Sequence, residues 1–288
     1  MYLPHTLLSK KIIELLIEDL GQGDVTTGLL VPTFTSVKAE VIAKEPGIIA
    51  GIEETKTLLK SFGTEVKCLI KDGDKIETGK VLMRISGDAR TILSLERTIL
   101  NILSHMSGIA TTTRSLIEKI RKAGLKAKVA CTRKVSPGLL YFDKKAVSIG
   151  GGDTHRFHLD DMIIVKDNHI AISGGIEKAI KRIREKVSFT KKIEVEVSSV
   201  ADALKAAKMG VDIVMLDNFS PQQVEEAAKL LKQANCNRNI LIEVSGGITK
   251  ENILRFASKD VDIISLGEIT QKTKGLDINL EILKPKTR

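Results

Sequence analysis

The chain has 288 residues, 42% of them hydrophobic, enough for a sizeable core in one large or two modest domains. Aromatics are 3%, Trp is absent, and no helix-turn-helix, zinc-finger or RGG pattern occurs, so the net charge of +9 favours small acidic substrates over nucleic acid. No apolar run is long enough for a bilayer, the start lacks a signal-peptide pattern, and Cys68, Cys131 and Cys236 suit neither a disulfide framework nor a zinc site, which predicts a cytoplasmic protein with reduced thiols, mostly buried.

Residues 7–20 carry apolar positions at Leu7, Leu8, Ile12, Leu15, Leu16 and Leu20, a helical stripe that Gly21 and Gly23 end. In the GDVTTGLL that follows, Asp24 or Thr26 is expected to cap a short turn. Residues 37–43 alternate as a strand, and 47–53 end it and start a helix through Leu59. Asp72-Gly73 and Thr78-Gly79 punctuate short strands over 66–85, read as the β layer of an α/β sandwich. That segment is also similar to half of a biotinyl or lipoyl carrier domain, but Lys75 and Lys80 lack the hairpin-tip setting of a carrier lysine.

Residues 91–120 predict a long helical region interrupted near Ser107-Gly108. Ile92, Leu95, Ile99, Ile102, Leu103 and Met106 share one face, while Arg97 and Asn101 lie on another.

From Lys128 the rhythm changes. Apolar runs at 129–131, 162–165, 193–197, 213–216, 240–244 and 263–266 alternate, for the most part, with amphipathic helices at 175–187, 200–209, 221–233 and 249–258. Repeated βα units imply a parallel sheet buried on both faces. Arg133 and Lys134, Lys166, Glu196, Asp217, Ser245-Gly246-Gly247 and Gly267 all stand at or just past strand C-terminal ends. Those ends converge on one mouth in a barrel, which favours an α/β barrel over an open doubly wound sheet. Six strands are clear, with a seventh candidate near 146–150.

The last two strands end in Ser245-Gly246-Gly247 and Ser265-Leu266-Gly267. Glycine there lets backbone N–H groups approach an anion, a following helix would add its dipole, and two such ends side by side favour phosphate over a plain turn. Glu196 and Asp217 stand among cations. They either pair with Lys134 and Lys166 as salt bridges or face a divalent cation, ribose hydroxyls or developing positive charge. No Ser/His/Asp or Cys/His arrangement points to a covalent nucleophile.

Three pieces of 131–169 stand out together: Thr132-Arg133-Lys134 followed by Pro137-Gly138, Gly150-Gly151-Gly152 followed by His155-Arg156, and a strand ending in Lys166-Asp167-Asn168-His169. In order and spacing this resembles the central signature of the quinolinate phosphoribosyltransferase family, and matches at 23–30, 96–101, 194–197, 216–219 and 245–247 extend the likeness over nearly the whole chain. The resemblance implies an incomplete, about seven-stranded α/β barrel at 109–270 behind an N-terminal α/β sandwich at 1–108, with the tail 271–288 returning to the sandwich.

It also implies phosphoribosyl transfer from phosphoribosyl pyrophosphate to quinolinate with loss of carbon dioxide, giving nicotinate mononucleotide for NAD synthesis. Arg133, His155, Arg156 and Lys166 would then bind quinolinate, joined by Arg97 from a neighbouring subunit, and Thr132 would be a further substrate-binding residue. Lys134 and Lys166 would face pyrophosphate, and Ser245, Gly246, Gly247 and Gly267 the 5-phosphate. Lys134, Lys166, Glu196 and Asp217 form the implied catalytic set, with Mg2+ reaching Glu196 and Asp217 through water or substrate. The implied assembly is a homodimer, extendable to a hexamer as a trimer of dimers. His155 alone would more often be structural, but its place after the glycines argues for the site; His158 has no such support.

Leu140 stands where the family usually has Arg, Thr154 where it often has Asn, and His158 where it usually has Gly, which bears on fine substrate preference. The rival readings are a related branch associated with molybdenum transport, which usually loses the KDNH piece, nicotinate phosphoribosyltransferase, and a non-catalytic phosphate-binding or carrier module.

Overall fold

The structure, a computed structural model, describes residues 3–234 and 240–283; Cys236 and the last residues of the expected tail, 284–288, lie outside the described residues. The chain forms two compact units, the first holding the chain up to Thr112, Tyr141–Gly151 and the chain from Thr273, the second Thr113–Leu140 and Gly152–Lys272.

In the first unit α1 (His5–Leu20) buries Leu8, Ile12 and Leu16, one side of the stripe read from the sequence. Where a turn is expected there is a short helix, α2 (Val25–Leu30), and Asp24 is its cap, accepting the Thr27 N–H at 2.9 Å. Next come β1 (Ser36–Ala43), β2 (Gly47–Ile48), α3 (Ile52–Ser61), β3 (Glu65–Cys68), β4 (Lys75–Ile76) and β5 (Val81–Asp88).

Then α4 (Ala89–Lys122) runs 34 residues without the expected break at Ser107-Gly108. The small pair serves close packing instead. Ser107 Oγ accepts the Ala50 N–H at 3.0 Å and donates to the Ala50 carbonyl, and a Cβ on Gly108 would meet the Gly275 Cα at 3.1 Å.

The next strand and helix are β6 (Lys128–Cys131) and α5 (Leu140–Gly150). Helix α5 occupies the place proposed for a seventh strand. Phe142, Ala146 and Gly150 are buried at four-residue spacing, and a short apolar run such as 146–150 reads equally well as strand or helix until its neighbours are known. The second unit continues through β7 (Ile163–Val165), α6 (Asp167–Ser173), α7 (Ile176–Arg184), β8 (Ile193–Val197), α8 (Val200–Lys208), β9 (Ile213–Asp217), α9 (Pro221–Ala234), β10 (Leu241–Ser245), α10 (Ile253–Phe256), β11 (Ile263–Leu266) and α11 (Glu268–Gln271).

These strands make a six-stranded sheet in the order β6-β11-β10-β9-β8-β7, parallel at every pair. The curved sheet is barrel-like but open, since β6 and β7 are its two ends and do not pair with each other among the described residues. Val195, Val214, Val244 and Ile264 are fully buried along it, each side chain contributing about 1.5–3 kcal/mol of burial. Finally β12 (Ile278–Ile282) pairs antiparallel with β1 and completes the first unit's sheet, β12-β1-β5-β3.

Candidate active site

The carboxyl ends of the six parallel strands surround a cavity of about 480 Å³, a size suited to small ligands. Alternate residues of a strand share a face. On β8 this sends Glu194 and Glu196 inward, on β9 Met215 and Asp217, on β10 Glu243 and Ser245. The outer member of each pair reaches the mouth and the inner member lies nearer the floor.

Past β6 the backbone turns so that Arg133 and Lys134 are exposed towards the cavity. The Lys134 N–H donates to Thr132 Oγ1 at 3.1 Å, and Thr270 Oγ1 of α11 donates to the Lys134 carbonyl at 2.7 Å. A Cβ on Gly267 would stand 3.2 Å from Lys134 Cδ, so bare backbone there leaves room for the lysine. Past β7 the Lys166 N–H donates to His169 Nδ1 at 3.0 Å, which gives the KDNH sequence a physical reading: its histidine caps α6 and fixes the lysine's backbone. Lys166 Nζ donates to Glu196. Past β9, Asn218 Nδ2 donates to Asp217 Oδ2 at 2.6 Å.

The charges press on one another. Burial, and then repulsion from Glu196, push the Asp217 carboxyl above its ordinary range, against the pull of Asn218, Lys166 and Lys134. Arg156 is lowered by burial and by the neighbouring Arg133, with Glu194 and Asp161 opposing. Its Nη1 donates to the Met162 carbonyl at 3.3 Å.

His155 sits deepest of the cations. Burial alone would lower its pKa, but hydrogen bonding and charge from Glu194 and Glu243 outweigh it and favour a proton on the ring edge that faces them. Burial in turn raises Glu194, helped by the Glu243 charge and opposed by His155. The other ring nitrogen, Nδ1, accepts the Arg156 N–H at 2.8 Å, where an imidazolium would need a second proton. What both observations share is a proton held between Nε2 and the two carboxylates.

Thr132, Arg133, Lys134, His155, Arg156, Lys166, Glu196, Asp217, Ser245, Gly246 and Gly247 all line this one cavity. Gly267 borders it through Lys134. Arg97 is exposed on α4 and is not among the lining residues. His158 is exposed beside Asp161, which accepts its N–H at 3.0 Å, and Thr154 Oγ1 is turned onto the His155 carbonyl at 3.0 Å.

Sequence reading missed Glu194, Met215, Asn218, Glu243 and Ser265. A signal existed for the two glutamates: Ile193–Val197 and Leu241–Ser245 each set polar residues two apart in an apolar run, which marks one shared face. The expected helix dipole behind the glycines is not there. The helix expected over 249–258 is only Ile253–Phe256, preceded by a turn in which Thr249 N–H donates to Asn252 Oδ1 at 2.7 Å, and α11 is equally short. What this wall offers an anion is the backbone of Gly246 and Gly247, held at φ of 84° and 62°.

The profiles of the quinolinate phosphoribosyl transferase N-terminal and C-terminal domains match residues 24–107 and 109–281. The chain is 45% identical to a probable carboxylating nicotinate-nucleotide pyrophosphorylase of Methanothermobacter thermautotrophicus, over 94% of this chain and 97% of that one. It is 36% identical to the human carboxylating nicotinate-nucleotide pyrophosphorylase over 85% of this chain and 82% of that one. The crystal structure of NadC from Streptococcus pyogenes superposes with a TM-score of 0.89 at 37% identity, covering 99% of this chain and all of that one.

Proposed function

The chain belongs to the quinolinate phosphoribosyl transferase family, and from that premise we propose that one wall of its mouth holds quinolinate and the other phosphoribosyl pyrophosphate. The reaction is phosphoribosyl transfer to quinolinate with decarboxylation, yielding nicotinate mononucleotide in NAD biosynthesis. The observation that carries the assignment is one cavity lined both by the cations Arg133, Arg156 and Lys166 and by Ser245, Gly246 and Gly247.

Guanidinium groups pair with carboxylates two bonds at a time, so Arg133 and Arg156 suit a planar dicarboxylate better than a monocarboxylate. Arg97 of a neighbouring subunit would add a third, which makes a homodimer, extendable to a hexamer, the functional unit. The backbone N–H groups of Gly246 and Gly247 with Ser245 receive the 5-phosphate, and Lys134 and Lys166 the pyrophosphate. Lys166 already pairs with Glu196, so an incoming anion competes for it.

Quinolinate nitrogen attacks C1 of the ribose as pyrophosphate leaves. Fixed positions of the two substrates supply much of the acceleration. Glu196 and Asp217 face the positive charge that develops on the sugar and stabilise it electrostatically. In the nucleotide formed, the ring nitrogen is cationic and accepts the electron pair left at C2 when the adjacent carboxylate departs as carbon dioxide; a solvent proton then replaces it.

Two carboxylates close enough to raise the pKa of one of them are oxygen donors of the kind a hard divalent cation takes. Glu196 and Asp217 would therefore hold Mg2+ through water or through substrate oxygens. Bound there, the ion would supply positive charge to the leaving pyrophosphate. A cytoplasmic setting fits the free thiols of Cys68 and Cys131.

The test is turnover. Purified protein with phosphoribosyl pyrophosphate, Mg2+ and either quinolinate or nicotinate is followed for mononucleotide and carbon dioxide. Product from quinolinate with equimolar carbon dioxide is expected; folded protein that makes none, or that prefers nicotinate, overturns the assignment of the walls.

A further inference from the structure

Below the mouth, Glu194 of β8 and Glu243 of β10 are both fully buried. Between them stands His155 Nε2, 3.2 Å from Glu243 Oε2 and 3.4 Å from Glu194 Oε2. Oε1 of Glu243 and both oxygens of Glu194 have no hydrogen-bond partner, so Glu194 meets the ring by charge and Glu243 by a hydrogen bond. Burying two acids this incompletely satisfied costs stability that an apolar pair of similar size would not, so packing alone does not account for them.

What they hold is the histidine ring. His155 keeps a left-handed backbone, φ 51°, a conformation costing about 1–3 kcal/mol in a non-glycine residue and sustained only when its surroundings enforce it. Asp153 Oδ1 accepts its backbone N–H at 2.8 Å, and its Nδ1 accepts the N–H of Arg156 at 2.8 Å. A ring nitrogen that accepts an N–H carries no proton, so Nε2 is the protonated edge and donates towards the acids. That tautomer also leaves Nε2 without the lone pair a metal ligand needs, although the three side chains are close enough together to surround an ion.

We infer that Glu194 and Glu243 are positioning residues for quinolinate: they hold His155 by its Nε2 edge, and His155 sets the backbone of Arg156 from its Nδ1 edge, so that the guanidinium enters the mouth at one fixed place. The inference rests on the reading of the Arg133 and Arg156 wall as the dicarboxylate wall. It gives His155 a role exerted through Arg156, since both of its ring nitrogens are engaged by protein groups. The chain of contacts runs from two strands of the sheet to a loop residue, and it gives the loop the rigidity of the strands.

The test uses Glu243→Leu, Glu243→Ala and Glu243→Gln in the full chain, with thermal melts, kcat and the KM of each substrate. Glu243→Leu, which removes the nearer acceptor, is expected to raise the quinolinate KM about tenfold, the size of one hydrogen bond to a charged group. The KM for phosphoribosyl pyrophosphate should move less than about twofold, because that substrate lies on the other wall. Glu243→Gln keeps an acceptor oxygen and should recover most of the loss. If the leucine variant does not fold, Glu243→Ala decides, since it removes the same acceptor, with the same rise in quinolinate KM expected.

Folded variants with an unchanged quinolinate KM, or with both KM values rising together, overturn the inference. Wild-type protein that does not turn over quinolinate overturns the reading of the walls instead, a separate result from active wild type with unresponsive variants.

Discussion

Gly246 lies directly against Asn218: a Cβ on the glycine would stand 2.8 Å from the asparagine's backbone nitrogen. The Asn218 N–H donates to the Ser245 carbonyl at 3.0 Å, so the loop after β10 is tied to the end of β9 that carries Asp217. Gly246→Ala therefore meets both a clash and a φ of 84° that alanine adopts poorly. It is expected to destabilise the fold by about 1–3 kcal/mol and to raise the KM for phosphoribosyl pyrophosphate about tenfold or more. Denaturant unfolding and steady-state kinetics would show it; a change in the quinolinate KM alone would contradict the phosphate assignment.

Glu196→Gln and Asp217→Asn remove a charge from the mouth while keeping its shape. Each should lower kcat about 10²–10³-fold, the usual scale for losing one preorganised electrostatic group. Quinolinate binding, measured by calorimetry, should change little. Weakened quinolinate binding with kcat retained would assign the two acids to anchoring Lys166 and Lys134 rather than to the sugar.

Arg97 supplies a test of shared sites. On the proposed dimer, the Arg97→Ala and Glu196→Gln proteins should each be nearly inactive. Mixed, unfolded together and refolded, they should regain activity at about one site in four, because random pairing gives half heterodimers, each with one intact site. No recovery would place Arg97 with its own chain's site or outside it altogether.

Tyr141 provides a pH marker in the first unit. Its hydroxyl donates to Glu54 Oε1 at 3.3 Å, and burial together with the Glu54 charge pushes the phenol up to about 12. Unfolded, the same phenol ionises near 10. The folded state therefore keeps its proton longer, and the stability this contributes is complete below about pH 10 and is lost as pH rises towards 12. Tyr2 and Tyr141 are the two tyrosines and Trp is absent, so absorbance of a Tyr2→Phe variant at alkaline pH follows Tyr141 alone. Ionisation at the free value would refute the shift, and Tyr141→Phe should flatten the alkaline fall in stability.

Much of the barrel unit could be read from periodicity. The strands over 193–197, 213–217 and 241–245 are mostly apolar runs with a polar residue at or next to the last position, and burial on both faces of a parallel sheet leaves few other patterns. The placement of Arg133, Lys166, Glu196 and Asp217 at strand ends carried the site with it, because the ends of parallel strands must lie on one side. Element 146–150 could not be read in this way: Ala146 and Val147 are buried in a helix, and a run so short has no periodicity of its own.

By itself, then, the amino-acid order determined the six parallel strands, which cations and acids stand at their ends, and which family signature they compose, since these depend on local pattern. Only the tertiary structure decided that β6 and β7 stay apart, that Ser107-Gly108 packs rather than breaks a helix, and that Glu194 and Glu243 meet around His155. The reason is distance along the chain. His155 and Glu243 are 88 residues apart, and nothing local to either one encodes the register that brings their side chains to 3.2 Å.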